Sequence, residues 1–166
     1  MDPTLWSRVT DTIAREFSDV ADAEQTTRIV LRLSLAALLG ALLGFEREAK
    51  GKAAGVRTHM LVCMGAALFV LVSQESGIVP ADMSRVLQGV VAGVGFLCAG
   101  TILKTDHEER VKGLTTAAGI WLTAAIGVAA GLGREATAVL STVLALAILG
   151  AVPLVDRLMG KAARDA

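Results

Sequence analysis

The chain has 166 residues, 54% of them hydrophobic and 19% charged, and its 16 lysines and arginines balance its 16 aspartates and glutamates. That charged fraction lies below the roughly one quarter usual for soluble domains, so the fold is solvated largely by lipid, and the zero net charge leaves no basic excess to attract nucleic acid. A hydrocarbon core of about 30 Å takes about 20 apolar residues per helix, which leaves room for roughly four to six spans and little for an added soluble domain.

Residues 1–27 read as an N-terminal interfacial segment. Trp6, Val9, Ile13 and Phe17 recur at helical spacing between Asp11, Arg15, Glu16 and Asp19, which predicts a short amphipathic helix at the membrane surface. Acids occur throughout, and no basic start leads into an apolar core, so this is not a secretory signal and the chain is expected to keep it. Residues 28–157 form the expected membrane domain. Thr26 or Thr27 is the expected N-cap of its first span, and Arg28 and Arg32 reach back to the interface ahead of the apolar run Leu33–Phe45.

Glu46, Arg47, Glu48, Lys50, Lys52 and Arg57 then crowd one short connection containing Gly51 and Gly55. Charges gathered at the ends of runs that are apolar all round mark a membrane turn rather than a soluble helix pair. The second span covers about Arg57–Ser73, and Arg85 opens the third, VLQGVVAGVGFLCAGTIL. A second charged connection, KTDHEERVK, precedes the fourth span, LTTAAGIWLTAAIGVAAGLG. The fifth runs over Ala136–Leu154, and a basic tail occupies residues 158–166. The expected fold is therefore all-α, a polytopic transmembrane bundle of about five spans with its two ends on opposite sides. Lysine and arginine concentrate in the first and third connections and the tail, which puts the C-terminus in the cytoplasm and the N-terminus outside. Arg8, Arg15, Arg28 and Arg32 weigh against that orientation.

No phosphate loop, zinc spacing or nucleophile elbow occurs, so neither an enzyme nor a cofactor is expected, and the sequence leaves a metal site undecided. Cys63 and Cys98 lie inside apolar runs and read as small soft hydrophobes. Small residues recur at four-residue spacing on the apolar segments: Ala36, Gly40 and Gly44 on the first, Gly89 and Gly93 with Gly100 on the third, Gly127 and Gly131 on the fourth, and Gly95 joins the third as part of the packing face. Such stripes serve either close packing within one bundle or a face for a partner or a second copy, and they make the third span the expected central one. At the span ends, Glu46 lies near enough in sequence to Arg57 and His59 for pairing at the membrane face, with Arg47 and Thr58 beside them; the alternative is that these are solvated topology anchors. Gln88, Thr115 and Thr116 either bond to neighbouring helices or line a polar pocket, and the threonines serve equally well as caps of the fourth helix.

The run GFEREAKGKAAGVRTHMLV, then VLQGVVAGVGFLCAGTIL, then VKGLTTAAGIWLTAAIGVAAGLG, in that order, resembles the membrane domain of the bacterial MgtC/SapB family over about Arg28–Gly133. Its characteristic positions fall on Gly44, Glu46, Arg47, Gly55, Arg57, Thr58 and His59, on Gln88, Gly93, Gly95, Phe96 and Gly100, and on Gly113–Ala117 with Trp121. Longer members carry a soluble ACT-like C-terminal domain, whereas this sequence ends at Ala166. The resemblance implies an integral protein of the bacterial cytoplasmic membrane, associated with magnesium homeostasis, stress adaptation and virulence. In at least one relative it implies restraint of the membrane part of the F-type ATP synthase. Three readings stay open: a regulator acting by helix contact with a larger membrane complex, a small ion transporter or channel with magnesium as its expected cargo, and a structural subunit.

Overall fold

The computed structural model describes residues 4–16, 18, 22–77, 79–104 and 111–162. Asp2, Phe17, Asp19, the stretch 105–110 with His107 and Arg110, and Arg164 lie outside them. The described elements are α1 (Leu5–Glu16), α2 (Ala23–Ala49), α3 (Val56–Glu75), α4 (Pro80–Thr101), β1 (Leu103–Lys104), β2 (Val111–Lys112), α5 (Leu114–Gly131) and α6 (Glu135–Ala162). Two compact units result, Met1–Leu31 and Arg32–Ala166.

In the first unit α1 buries none of its residues and exposes Leu5, Trp6, Val9 and Ile13 on one side, the expected amphipathic pattern. The start of α2 differs from expectation. The Asp22 carboxylate accepts from the backbone N–H of Glu24, so the helix begins three to four residues before Thr26 and Thr27, whose hydroxyls bond back to the carbonyls of Asp22 and Ala23. Asp22 wins because a carboxylate accepts from the free first-turn N–H groups, while a threonine one turn inside finds a carbonyl instead.

The second unit is an up-and-down bundle of the rest of α2 with α3–α6. α2, α3, α4 and α5 are each long and apolar enough to cross a membrane, and α6 adds the apolar stretch Glu135–Ala151. α2, α3 and α5 are placed by how closely their backbones approach one another. A carbon added at Gly40 would stand 2.6 Å from the carbonyl oxygen of His59, and one at Gly44 would stand 2.6 Å from the Cα of Val56. Further along the same stripe of α3, one at Gly131 would lie 2.7 Å from the carbonyl of Ala67, and one at Gly127 would collide with the carbonyl of Cys63. Two glycine pairs at four-residue spacing thus bring the backbones of α2 and α5 against one face of α3, with Cys63 met from both. Ala36, Leu39, Leu43, Cys63, Ala67, Ile126, Ala130, Ala138 and Ala145 fill the core around them.

The third span is not the central one. Among its described residues α4 buries only Val90 and Val94, whereas α5 buries nine and packs against α3, α4 and α6. Nothing lies within 4 Å of a carbon added at Gly89, Gly93, Gly95 or Gly100. A small-residue stripe shows that a helix can be approached, not that it has been. α4 also ends earlier than its apolar run, because Ile102 turns extended and a two-residue antiparallel ladder pairs Leu103 with Lys112 and Lys104 with Val111. Gly113, at φ +95°, closes this hairpin against the carbonyl of Thr101, a position where a side chain would not fit.

Gly127→Ala is expected to lower the stability of the detergent-solubilised protein by roughly 1–3 kcal/mol through overpacking against the Cys63 carbonyl. Gly95→Ala should leave stability unchanged in the same unfolding titration, and equal losses would mean that the two glycine stripes do not differ.

Candidate functional site

α2 runs past Phe45 to Ala49, so Glu46, Arg47 and Glu48 stand on a helix rather than in a turn. This continuation decides where each points. Ala36, Leu39, Gly40, Leu43 and Gly44 form the inward stripe of α2, and Arg47 is its next helical repeat. Its side chain is therefore buried, with the residue 3% exposed. Arg47 Nε lies 3.3 Å from Glu46 Oε2, and Lys50 Nζ lies 2.5 Å from Glu46 Oε1. The Glu46 side chain is 17% exposed. Neither Glu46 oxygen nor Arg47 Nε has a well-aligned hydrogen bond among the described residues, so the attraction is one of charge at short range.

His59 meets this pair from α3 and is completely buried. Its Nδ1 lies 2.9 Å from the Gly55 carbonyl. A carbonyl only accepts, so Nδ1 carries the proton and Nε2 is the free end of the ring. Nε2 has no partner among the described residues and faces Gly119 of α5, where an added carbon would sit 3.6 Å from Nε2 and 4.0 Å from Arg47 Cδ. Thr116 and Thr123 are buried on the same helix, and the Thr123 hydroxyl donates to the Gly119 carbonyl at 2.8 Å. The centre is thus a guanidinium, a carboxylate and an imidazole gathered where α2, α3 and α5 meet.

The short connection supports it from outside. The Glu48 carboxylate accepts the Val56 N–H at 2.9 Å and caps α3 where Gly55 has no side chain to do so. A carbon at Gly55 would strike that carboxylate. Lys50 reaches from Glu46 to the Leu149 carbonyl at 2.7 Å and ties α6 to the same end.

The expected partners of Glu46 need correction. Arg57 and Thr58 are exposed, and the ion pairs of Glu46 among the described residues go to Arg47 and Lys50. Arg57 is the second residue of α3, and helical geometry turns it away from the side that carries His59 two positions later. Thr115 is exposed, Thr116 is buried, and neither caps α5, whose N-cap is Gly113 without a side-chain bond. Trp121 lies half exposed on the outer side of α5, opposite Leu87 and Val91 of α4, and Gln88 is exposed.

A second polar node, not singled out from the sequence, occupies the other end. Arg32 turns inward instead of reaching for the interface: its Nη1 donates to Gln74 Oε1 at 3.1 Å and to the Gly131 carbonyl at 2.9 Å, and its Nε lies 3.6 Å from Glu135 Oε1. A cation on the last carbonyls of α5 is favoured by the helix dipole. Only the long-range partners reveal this role, and no local signal announces them.

Among the described residues, no three His, Cys, Asp or Glu side chains converge as a metal site would require. The carboxylate at the buried centre is already held by two cations and offers no open oxygen set to a hard divalent ion. What the centre can do is fix α2, α3 and α5 in one register, because a buried charge left without its counter-charge is expensive. Glu46→Gln is accordingly expected to destabilise the protein by up to about 3–5 kcal/mol, by stranding Arg47. Arg57→Gln should stay within about 0.5 kcal/mol. Unfolding titrations of both variants in the same micelles check the assignment, and the reverse order would restore Arg57 as the partner.

The sequence profile of the MgtC family matches residues 33–158. The chain is 42% identical to the putative magnesium transporter YhiD of Escherichia coli strain K12, over 82% of this chain and 66% of YhiD. It is 44% identical to protein SrpB of Synechococcus elongatus, over 76% of each, and 43% identical to protein MgtC of Salmonella typhimurium, over 70% of this chain and 49% of MgtC. The match thus spans just under two thirds of YhiD and about half of MgtC. No solved structure matches the chain. The profile covers Glu46, Arg47, His59 and Glu135 and begins one residue after Arg32, and the chain, a multi-pass membrane protein, belongs to the MgtC family.

Proposed function

We propose that this chain is a regulatory protein of the bacterial cytoplasmic membrane that acts by helix contact with a larger membrane complex, adjusting membrane energetics or magnesium balance. The membrane part of the F-type ATP synthase is the first partner to look for. The end that carries Arg47, Lys50, Lys52, Arg57, Lys104 and Lys112 faces the cytoplasm, in keeping with the positive-inside bias; the other end of the bundle carries Arg32, Arg85 and Arg134.

One observation carries this reading: the bundle is closed inside and open outside. Between the Arg47–His59 centre and the Arg32 node, α3 touches the glycines of α2 and α5 backbone to backbone, and the buried side chains around them are apolar apart from Thr123 and Thr142, whose hydroxyls are taken up by the Gly119 and Ala138 carbonyls of their own helices. Ion paths through a bilayer are marked by charged side chains and histidines at depth, and this stretch carries no acid, lysine, arginine or histidine. Outside, α3 and α4 diverge around a groove of about 620 Å³ lined by Leu61, Gly65, Phe69, Gly89, Gly93 and Leu97. Glycines on both walls let another helix backbone come close, which in lipid is a principal source of association energy.

The alternative is transport, in line with the printed name of YhiD. Photo-crosslinkers placed at Leu61 and Leu97 in native membranes are expected to capture subunits of the ATP synthase membrane sector. Gly93→Leu, which fills the groove, should abolish capture while the fold persists. Magnesium flux into liposomes that carry the chain alone would overturn the regulator and establish the transporter.

A further inference from the structure

Gly119 differs from the other two glycines of α5. A carbon added at Gly127 or Gly131 would meet the α3 backbone at under 3 Å, so those two let the helices touch. At Gly119 no backbone atom of another helix lies within 4 Å of an added carbon, and its neighbours are His59 Nε2 at 3.6 Å and Arg47 Cδ at 4.0 Å, both at ordinary contact distance. A methyl group would fit there, and inside a helix alanine is favoured over glycine. The glycine thus keeps a methyl-sized space that the approach of the helices does not require.

Two buried polar atoms border that space. His59 is completely buried and Arg47 is 3% exposed. His59 Nε2 and Arg47 Nε, which is bonded to the Cδ just named, both lack a hydrogen-bond partner among the described residues. With Nδ1 protonated towards the Gly55 carbonyl, Nε2 presents a lone pair, whereas Nε presents an N–H. One can only accept and the other can only donate. Leaving either unpaired away from solvent is costly.

We infer that the space over Gly119 is a binding site for a single water molecule, which donates to His59 Nε2, accepts from Arg47 Nε and so joins α2 to α3 across α5. Water is the ligand that fits the charges. A cation would be repelled by the guanidinium, and an anion would face the Nε2 lone pair beside a guanidinium whose charge Glu46 already balances. A neutral hydroxyl both donates and accepts. The second hydrogen of water can serve the Glu46 carboxylate, whose oxygens also lack an aligned bond. Three such bonds are typical of a buried water. The Thr123 hydroxyl does not compete, because it donates to the Gly119 carbonyl. Solvent has a short way in: His59 is the fourth residue of α3, about 4.5 Å along the helix from its start, and the Glu46 side chain beside Arg47 is 17% exposed. The site lies inside the three-helix junction, and it stands whether or not the groove between α3 and α4 takes a partner.

The test uses the full chain in detergent micelles. A dry space and a hydrated one predict opposite signs for Gly119→Ala. In a dry space the methyl fills the gap and the helix gains, so stability rises. The water site predicts a loss of roughly tenfold in the folding equilibrium constant, because the methyl displaces the water and strands both Nε2 and Nε. Gly119→Ser, although bulkier, should recover most of that loss, since its hydroxyl can stand where the water stood. Nitrogen-15 spectra of histidine-labelled protein read the contact directly, with His107→Gln leaving His59 as the one histidine of the chain's two. In that parent the Nε2 resonance should be displaced as for an imidazole nitrogen that accepts a hydrogen bond. Gly119→Ala should move it to the position of a free acceptor, and Gly119→Ser should not. A free-acceptor resonance in the parent itself would overturn the inference. So would Gly119→Ala at least as stable as the parent, or Gly119→Ser less stable than Gly119→Ala.

Discussion

Everything in the bundle depends on how closely α3 can be approached. In water two helices are driven together by burying apolar surface, but in lipid that surface is already solvated, and what remains is contact at short range. Gly40 and Gly44 on α2, and Gly127 and Gly131 on α5, remove the side chains that would hold the backbones apart. The resulting three-helix contact fixes the register of α2, α3 and α5 before any polar group is considered. It is also why Arg47 and His59, on different helices, come to face the same glycine of α5.

The polar groups then act at the two ends of this three-helix contact. At one end Glu46 is shared between buried Arg47 and partly exposed Lys50, and Lys50 continues to a carbonyl of α6. At the other, Arg32 gathers the end of α3, the last carbonyls of α5 and the first acid of α6. Neither arrangement needs to add much net stability, since desolvation offsets much of the attraction between buried charges. What both do is penalise any other register. The helices are tied by charge near the two ends and by close backbone contact in between.

Much of this was legible in the sequence, and the parts that were not share a cause. The spans, their order and the charged connections follow from the length and charge content of apolar runs, which are local properties. Burial of Arg47 was also within reach, because it repeats the inward spacing of Ala36, Leu39, Gly40, Leu43 and Gly44. Reading its surroundings as a turn hid that. Which partner Glu46 takes, and the inward turn of Arg32 towards Gln74, Gly131 and Glu135, depend on contacts between residues far apart in the chain. The glycine stripes were ambiguous for the same reason. Gly40 and Gly89 look alike in sequence, but one meets a backbone and the other meets nothing.

That difference divides the glycines by what a mutation can reach. A substitution at Gly40, Gly44, Gly127 or Gly131 must move a neighbouring backbone, so those sites are fixed by the fold itself. A carbon added at Gly89, Gly93, Gly95 or Gly100 meets no other atom within 4 Å. α4 is therefore the helix on which the sequence can drift most freely while the remaining helices stay as they are.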